Sequence, residues 1–210
     1  MNKNRRVVKV PKNYYRQVHE TRYQRILGAG AIFRQKEMNP YVAQAWKQFR
    51  SFVYLPSGVL GIEFGCGTGI NTITISLEGF RMIGLDISPT AIRKATELAT
   101  KLSNSPKTSE VSGCCSVRFL VGDIFNSGLR TGSFDFALNI WTLHCVGEQN
   151  LRDKHLLECY RVLKPGGYVY LHNESSERDV LSPNEEVMIW ETNVQNAPIG
   201  STCRIAARFK

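Results

Sequence analysis

Between Ile62 and Asn71 the chain reads IEFGCGTGIN, with glycine at positions 65, 67 and 69. An apolar run precedes these glycines and a helical pattern follows them. Alternate glycines at such a junction serve a sharp turn whose backbone must come close to a ligand, because side chains there would block both. The stretch therefore predicts strand, turn and helix around a nucleotide-bearing ligand. A dinucleotide fingerprint would place a sixth-position glycine where Ile70 stands. Glu63 is a second departure, since a carboxylate beside a pyrophosphate is repelled. A ligand carrying a cationic amine would instead be favoured by it.

The flanking sequence gives this turn a setting. VLGIEF reads as a strand and Asn71 to Leu77 as a helix; RMIGLDI is a strand, and SPTAIRKATELATKL a helix capped by Ser88 and opened by Pro89. VRFLVGDI and FDFALNIW are strands, Leu151 to Leu163 is a helix stopped by Pro165-Gly166-Gly167, and YVYLHN is the next strand. Such alternation predicts an α/β, doubly wound, mostly parallel sheet with helices on both faces. The polar stretch Ser103 to Ser116 is expected to be a surface loop. Pro56-Ser57-Gly58 divides the chain into an N-terminal helical segment, 1–56, and the α/β domain, 57–210. In the first part, YYRQVHETRYQRIL and PYVAQAWKQFRSFV space Tyr15, Val18, Tyr23 and Ile26, then Val42, Trp46, Phe49 and Val53, as helix faces.

The 210 residues, 42% of them hydrophobic, suffice for one sizeable core and not for two ordinary domains. Apolar runs such as Phe134 to Leu138 are far too short to span a membrane, and the N-terminus shows no apolar secretory region. The six cysteines form no CxxC and no His/Cys ligand spacing, which points to reduced thiols in the cytoplasm and to no metal site. Of the net charge of +9, residues 1–50 carry +10 and the remainder −1. A basic block of this kind suits an anionic substrate or a nucleic acid, and equally a solvated leader.

Two strand ends complete the pattern. Asp86, seventeen residues beyond Gly69, suits acceptance from two ribose hydroxyls. Asp123 in VGDIF suits an adenine amino group, with Ile124 packing on the ring.

At these residues the sequence resembles the class I S-adenosylmethionine-dependent methyltransferases. EFGCGTG, GLDIS, VGDIF, FDFALNIWTLHCV and RVLKPGGYVYL stand in family order over about residues 57–175. The resemblance implies a Rossmann-like fold with S-adenosylmethionine as cofactor. Its methionine portion would lie against Gly65, Cys66, Gly67 and Gly69, its ribose on Asp86, and its adenine between Ile87 and Ile124 near Asp123. Glu63 and Asn139 complete the implied cofactor set. The implied activity is methyl transfer, but the resemblance does not name the substrate; the expected acceptor is an oxygen, nitrogen or sulfur nucleophile of a small molecule, with an anionic one favoured by the N-terminal arginines.

The family's amino-directed members for nucleobases or glutamine carry Asn-Pro-Pro-Tyr after the fourth strand. Asn139-Ile140-Trp141-Thr142 departs from it and disfavours that chemistry. His144 is the candidate general base, its alternative being a packing role. Trp141, Tyr15 and Tyr23 are candidates for the acceptor wall. Similar enzymes fold such N-terminal helices over the cofactor as a lid, and Arg22 or Arg50 is a candidate for its carboxylate. An RNA or protein methyltransferase, and a cofactor-binding regulatory partner with weak catalysis, stay open as alternatives; oligomeric state is left undecided. Only 37 residues follow Asn173. SPNEEVMIWETNVQ reads as a helix and TCRIAARF as one strand, so the expectation is either a six-stranded sheet or a shortened C-terminal hairpin.

Overall fold

The computed structural model describes residues 11, 13–28, 37–103, 116–173 and 203–208. Its strands are β1 (Leu60–Phe64), β2 (Arg81–Asp86), β3 (Val117–Val121), β4 (Phe134–Ile140), β5 (Leu163–Asn173) and β6 (Cys203–Arg208). Its helices are α1 (Tyr14–Gly28), α2 (Pro40–Phe52), α3 (Ile70–Ser76), α4 (Pro89–Ser103) and α5 (Gln149–Val162), with a short 3-10 turn at Leu143–Cys145. The sheet order is β3-β2-β1-β4-β5-β6. The first five strands run parallel, with Ile62 opposite both Ile83 and Ala137, and β6 runs antiparallel to β5. The fold is the doubly wound, Rossmann-like arrangement that the alternation of elements predicts.

Alternation along the strands builds two cores, because successive side chains point to opposite faces. On one face Met82, Phe136, Leu138 and Tyr170 meet Val42, Ala45, Trp46 and Phe49 of α2. Trp46 and Phe49 hold their rings 5.9 Å from Phe136 and 5.2 Å from Tyr170 respectively. The Trp46 indole Nε1 donates to both carboxylate oxygens of Glu78, at 2.9 and 3.0 Å, so its polar edge is satisfied. On the other face Ile62, Phe64, Leu85, Ala137 and Leu171 pack with Cys159 and Val162 of α5.

The expected face of α2 is thus the buried one, and Asn39 caps the helix by accepting from the Tyr41 N–H at 2.9 Å. This helix belongs to the core of the sheet and lies apart from the lid role expected of the N-terminal pair. Of the face expected of α1, Tyr15, Tyr23 and Ile26 are half-buried, whereas Val18 is 43% exposed and no residue of α1 is fully buried. Polar contacts place that helix instead. At the other end, α5 gives way directly to β5, and Pro165-Gly166-Gly167 lies inside the strand, where its register against β4 shifts. The described residues form six strands. The predicted helix at 182–195 lies outside them.

Candidate functional site

The carboxyl ends of β1, β2, β3 and β4 open onto one cleft, at the point where the strand order reverses around β1. It holds about 1040 Å³ of empty space, part of it open to solvent.

The glycine turn forms its floor. Gly65 and Gly67 have φ of 71° and 54°, a region that suits glycine, and each is also tightly approached. A Cβ at Gly65 would run into the Thr142 side chain, and one at Gly67 would stand 2.6 Å from the Tyr23 hydroxyl. The Gly65 and Cys66 N–H groups donate to Leu85 O at 2.7 and 3.0 Å, tying the turn to β2. Gly69 lies outside the cleft lining, as the N-cap of α3.

Three carboxylates face this floor. Glu63 of β1 is fully buried and accepts from Thr72 Oγ1 and, at 3.2 Å, from Asn71 Nδ2. Burial pushes its carboxyl up to about 7, against the pull of those hydrogen bonds. Asp86, 6% exposed, accepts from the Gly67 N–H and the Ser88 N–H, both at 2.9 Å. Burial raises its pKa from the ordinary aspartate value, against the pull of those two bonds. Asp123 accepts from the Phe125 N–H at 2.8 Å, which closes the turn after β3 and presents Ile124 and Phe125 to the cleft.

The fourth wall follows β4. Trp141 adopts φ 55°, a conformation that a bulky residue holds only when its surroundings impose it. Its N–H donates to His172 O at 2.7 Å, and Thr142 Oγ1 donates to Phe64 O at 3.1 Å. Asn139 is completely buried behind this turn. Its Oδ1 accepts from the Leu143 N–H at 3.1 Å and its Nδ2 meets His155 Nε2. His155 Nδ1 in turn donates to Ile124 O at 2.9 Å, and burial holds this imidazole below its ordinary pKa.

Helix α1 crosses the open side. Tyr15, His19 and Tyr23 recur at intervals of four, so they share one face, and all three line the cleft with Arg22. Tyr15 Oη donates to Glu148 at 2.5 Å and accepts from the Gly147 N–H at 3.0 Å; burial, then the bond to Glu148, pushes its phenol up to about 12. Farther along, Glu20 accepts from Ser88 Oγ and Thr90 Oγ1, each at 2.5 Å, at the start of α4. Burial lowers the His19 imidazole, while neighbouring Asp86 partly offsets the shift.

Of the residues expected at the site, Glu63, Gly65, Cys66, Gly67, Asp86, Ile87, Asp123, Ile124, Trp141, Tyr15 and Tyr23 come together around this cleft. Gly69, Asn139 and His144 do not line it. His144 is exposed on the 3-10 turn, and the imidazole within the cleft is that of His19. Arg22 lines the cleft, but Arg50 donates to Leu55 O at 3.1 Å and stacks 4.7 Å from the Phe80 ring centroid, away from it. His19, Phe125, Thr142 and Cys145 are lining residues that the sequence reading passed over. The spacing of His19 from Tyr15 and Tyr23 carried the signal; Phe125, Thr142 and Cys145 carried none.

Among the described residues no helix is long and apolar enough to cross a membrane, and no cluster of His, Cys, Asp and Glu fits a metal ion. The arrangement suits a ligand with a cationic amine beside Glu63, a diol beside Asp86 and a flat ring between Ile87 and Ile124.

Residues 62–171 match the family described as methyltransferase domain. The chain is 31% identical over 135 residues to a tRNA (carboxymethyluridine(34)-5-O)-methyltransferase of Arabidopsis thaliana, covering 64% of this chain and 29% of the relative. It is 27% identical over 139 residues to the 2-methyl-6-phytyl-1,4-hydroquinone methyltransferase of Synechocystis sp., covering 65% and 39%. A solved SAM-dependent methyltransferase from Methanosarcina mazei superposes with a TM-score of 0.51 at 29% identity, covering 65% of this chain and 57% of that one. The match thus spans well under half the length of either curated relative.

Proposed function

The chain belongs to the class I S-adenosylmethionine-dependent methyltransferases, and we propose that it transfers a methyl group to a small-molecule acceptor bearing negative charge. The observation that supports this reading is the convergence of Glu63, Asp86 and the Asp123–Ile124 turn on the floor formed by Gly65 to Gly67. When bound, S-adenosylmethionine supplies a methyl group made electrophilic by its sulfonium. The protein's own part is then mainly to align and enclose.

Glu63 would hold the amine, and the amine would in turn favour its ionised form. Asp86 would accept from the ribose hydroxyls while still anchoring the glycine turn. Ile87 and Ile124 would flank the adenine, with Asp123 beside its amino group. Phe125, Trp141, Cys145 and Val146 form an apolar wall for the acceptor, and Arg22 and His19 border the open side of the cleft. Arg22 supports the preference for an anionic acceptor. We assign the reaction to the cytoplasm, where thiols such as Cys66 and Cys145 stay reduced.

Calorimetry with S-adenosylmethionine and S-adenosylhomocysteine tests the cofactor reading, with micromolar or tighter affinity expected. Binding of NAD with neither adenosyl ligand would refute it. A panel of acceptors with methyl-labelled cofactor tests the rest, with turnover expected on small anionic acceptors. A second reading, RNA as acceptor, is favoured by the tRNA-directed relative and by the charge of residues 1–50. Methylation of RNA that falls steeply with salt, with none of the small acceptors turned over, would select it.

A further inference from the structure

Two walls of the cleft, the turn after β3 and the turn after β4, are built from segments remote in sequence. Both are fastened from behind by one side chain of α5. His155 is fully buried, with its ring edge-on to Phe64 at a centroid separation of 5.2 Å. The partners of its two nitrogens fix its tautomer. Ile124 O can only accept, so Nδ1 carries the hydrogen. Asn139 Oδ1 is committed to the Leu143 N–H, so the Asn139 amide turns its NH2 toward the ring and Nε2 must accept. Reversing the Asn139 amide would set donor against donor at Leu143. An imidazolium would do the same at Nε2, and burial, which lowers this imidazole's pKa, keeps it in the neutral form that the bonds require.

The bonds to Ile124 and Asn139 end on different parts of the site, while Cys159 Sγ of the same helix lies 3.6 Å from Nε2. Ile124 is the residue read as flanking the adenine. Leu143, two residues beyond Trp141, begins the turn that carries Cys145 and Val146 into the acceptor wall. Resting on the functional reading above, we infer that His155 is a positioning residue: its Nδ1–H sets the cofactor-side turn through Ile124 O, and its Nε2 sets the acceptor-side turn through Asn139. One rigid imidazole thereby fixes the spacing between the adenine wall and the acceptor wall. Glu158, one helical turn on, reinforces the cofactor side by accepting from the Ser127 N–H at 2.8 Å, but contributes nothing to the Asn139 side.

The two arms can be cut separately, because asparagine reproduces a donor near the Nδ1 position and glutamine an acceptor near the Nε2 position. The readouts are calorimetric affinity for S-adenosylhomocysteine and amide hydrogen exchange at Phe125 and Leu143, followed by NMR on the full chain. In His155→Asn the Leu143 amide should exchange at least tenfold faster, while Phe125 exchange and S-adenosylhomocysteine affinity stay within about threefold. In His155→Gln the pattern should invert, with Phe125 exchange faster, affinity at least tenfold weaker and Leu143 unchanged. A merely structural histidine would move both turns together in both variants. That result, or the absence of any change, overturns the inference. If only one variant folds, its own arm is still decided. If the unaltered protein binds no S-adenosylhomocysteine, the functional reading falls, and the two exchange rates alone decide the role of His155.

Discussion

Glu63 is a carboxyl group raised from 4.5 to about 7, and its burial makes that shift a statement about stability. Between those pH values the folded chain keeps a proton that the unfolded chain has released. Stability therefore falls as pH rises from about 4.5 to 7 and levels off above, by roughly 3 kcal/mol in all at about 1.4 kcal/mol per unit. Urea titrations across that window should show the decline in the unaltered protein and a flatter profile in Glu63→Gln. An equal slope in both would clear Glu63 of responsibility. Asp86 behaves differently from what its place at a strand end suggests. A terminal carboxylate is expected to serve the ligand alone, yet this one also accepts from two backbone amides, those of Gly67 and Ser88. Asp86→Ala should weaken S-adenosylhomocysteine binding by about 1.5–3 kcal/mol and cost about 1–3 kcal/mol of stability as well. Calorimetry and urea melts read the two losses independently; unchanged affinity would mean that the ribose lies elsewhere. The glycines and strand-end acids were legible in sequence because each is a local answer to a local demand. Asn139 and His155 were not legible as a pair, since what joins them is a fold that brings residues on different elements together.

At the scale of elements, apolar spacing served α2 fully and α1 in part, since Tyr15 and Tyr23 line the cleft while Val18 stays exposed. Val42, Trp46, Phe49 and Val53 mark a face that packs against a sheet, and each is buried. Helix α1 has no such partner face. It is joined at Tyr15 to the segment before α5 and at Glu20 to the start of α4, so it bridges the two sides of the cleft through polar bonds that hydrophobic periodicity cannot register. Those bonds yield a prediction for the lid role. Deleting residues 1–30 should lower cofactor affinity and abolish protease protection by cofactor, even at high salt where long-range attraction is screened. Glu20→Ala should give a milder loss of about 0.5–1.5 kcal/mol in the same assays, through the bonds to Ser88 and Thr90. A truncated chain that binds S-adenosylhomocysteine as well as the full one would reduce α1 to a tail. Strands β1, β2, β4 and β6 were legible to within a residue at each end, whereas β3 stops at Val121, three residues short of the expected end. The junction of α5 and β5 was not, because Pro165-Gly166-Gly167 reads locally as a stop, whereas pairing with β4 carries the strand through it.

Taken whole, the molecule pairs its strands out of chain order, and that order has a consequence in time. β1 meets β2 and β2 meets β3 through modest separations, but β1 must also meet β4, with Gly61 opposite Phe136. On a ribosome, where residues arrive at roughly 5–20 per second, the first three strands and α2 emerge well before the partners that complete their core. Trp46 and Phe49 pack against Phe136 and Tyr170, so until those residues have emerged a helix with an aromatic face has only part of its sheet to cover. Such delayed long-range pairing slows folding and leaves apolar surface open to wrong partners. Ribosome-stalled chains ending near residue 130 should therefore bind a hydrophobic dye or a holding chaperone, and chains long enough to free β5 should not. Equally low dye binding at both lengths would show that the first half closes unaided. Slowing elongation would lengthen this exposed interval, so the same strand order that forms the cleft makes the nascent protein sensitive to the pace of its own synthesis.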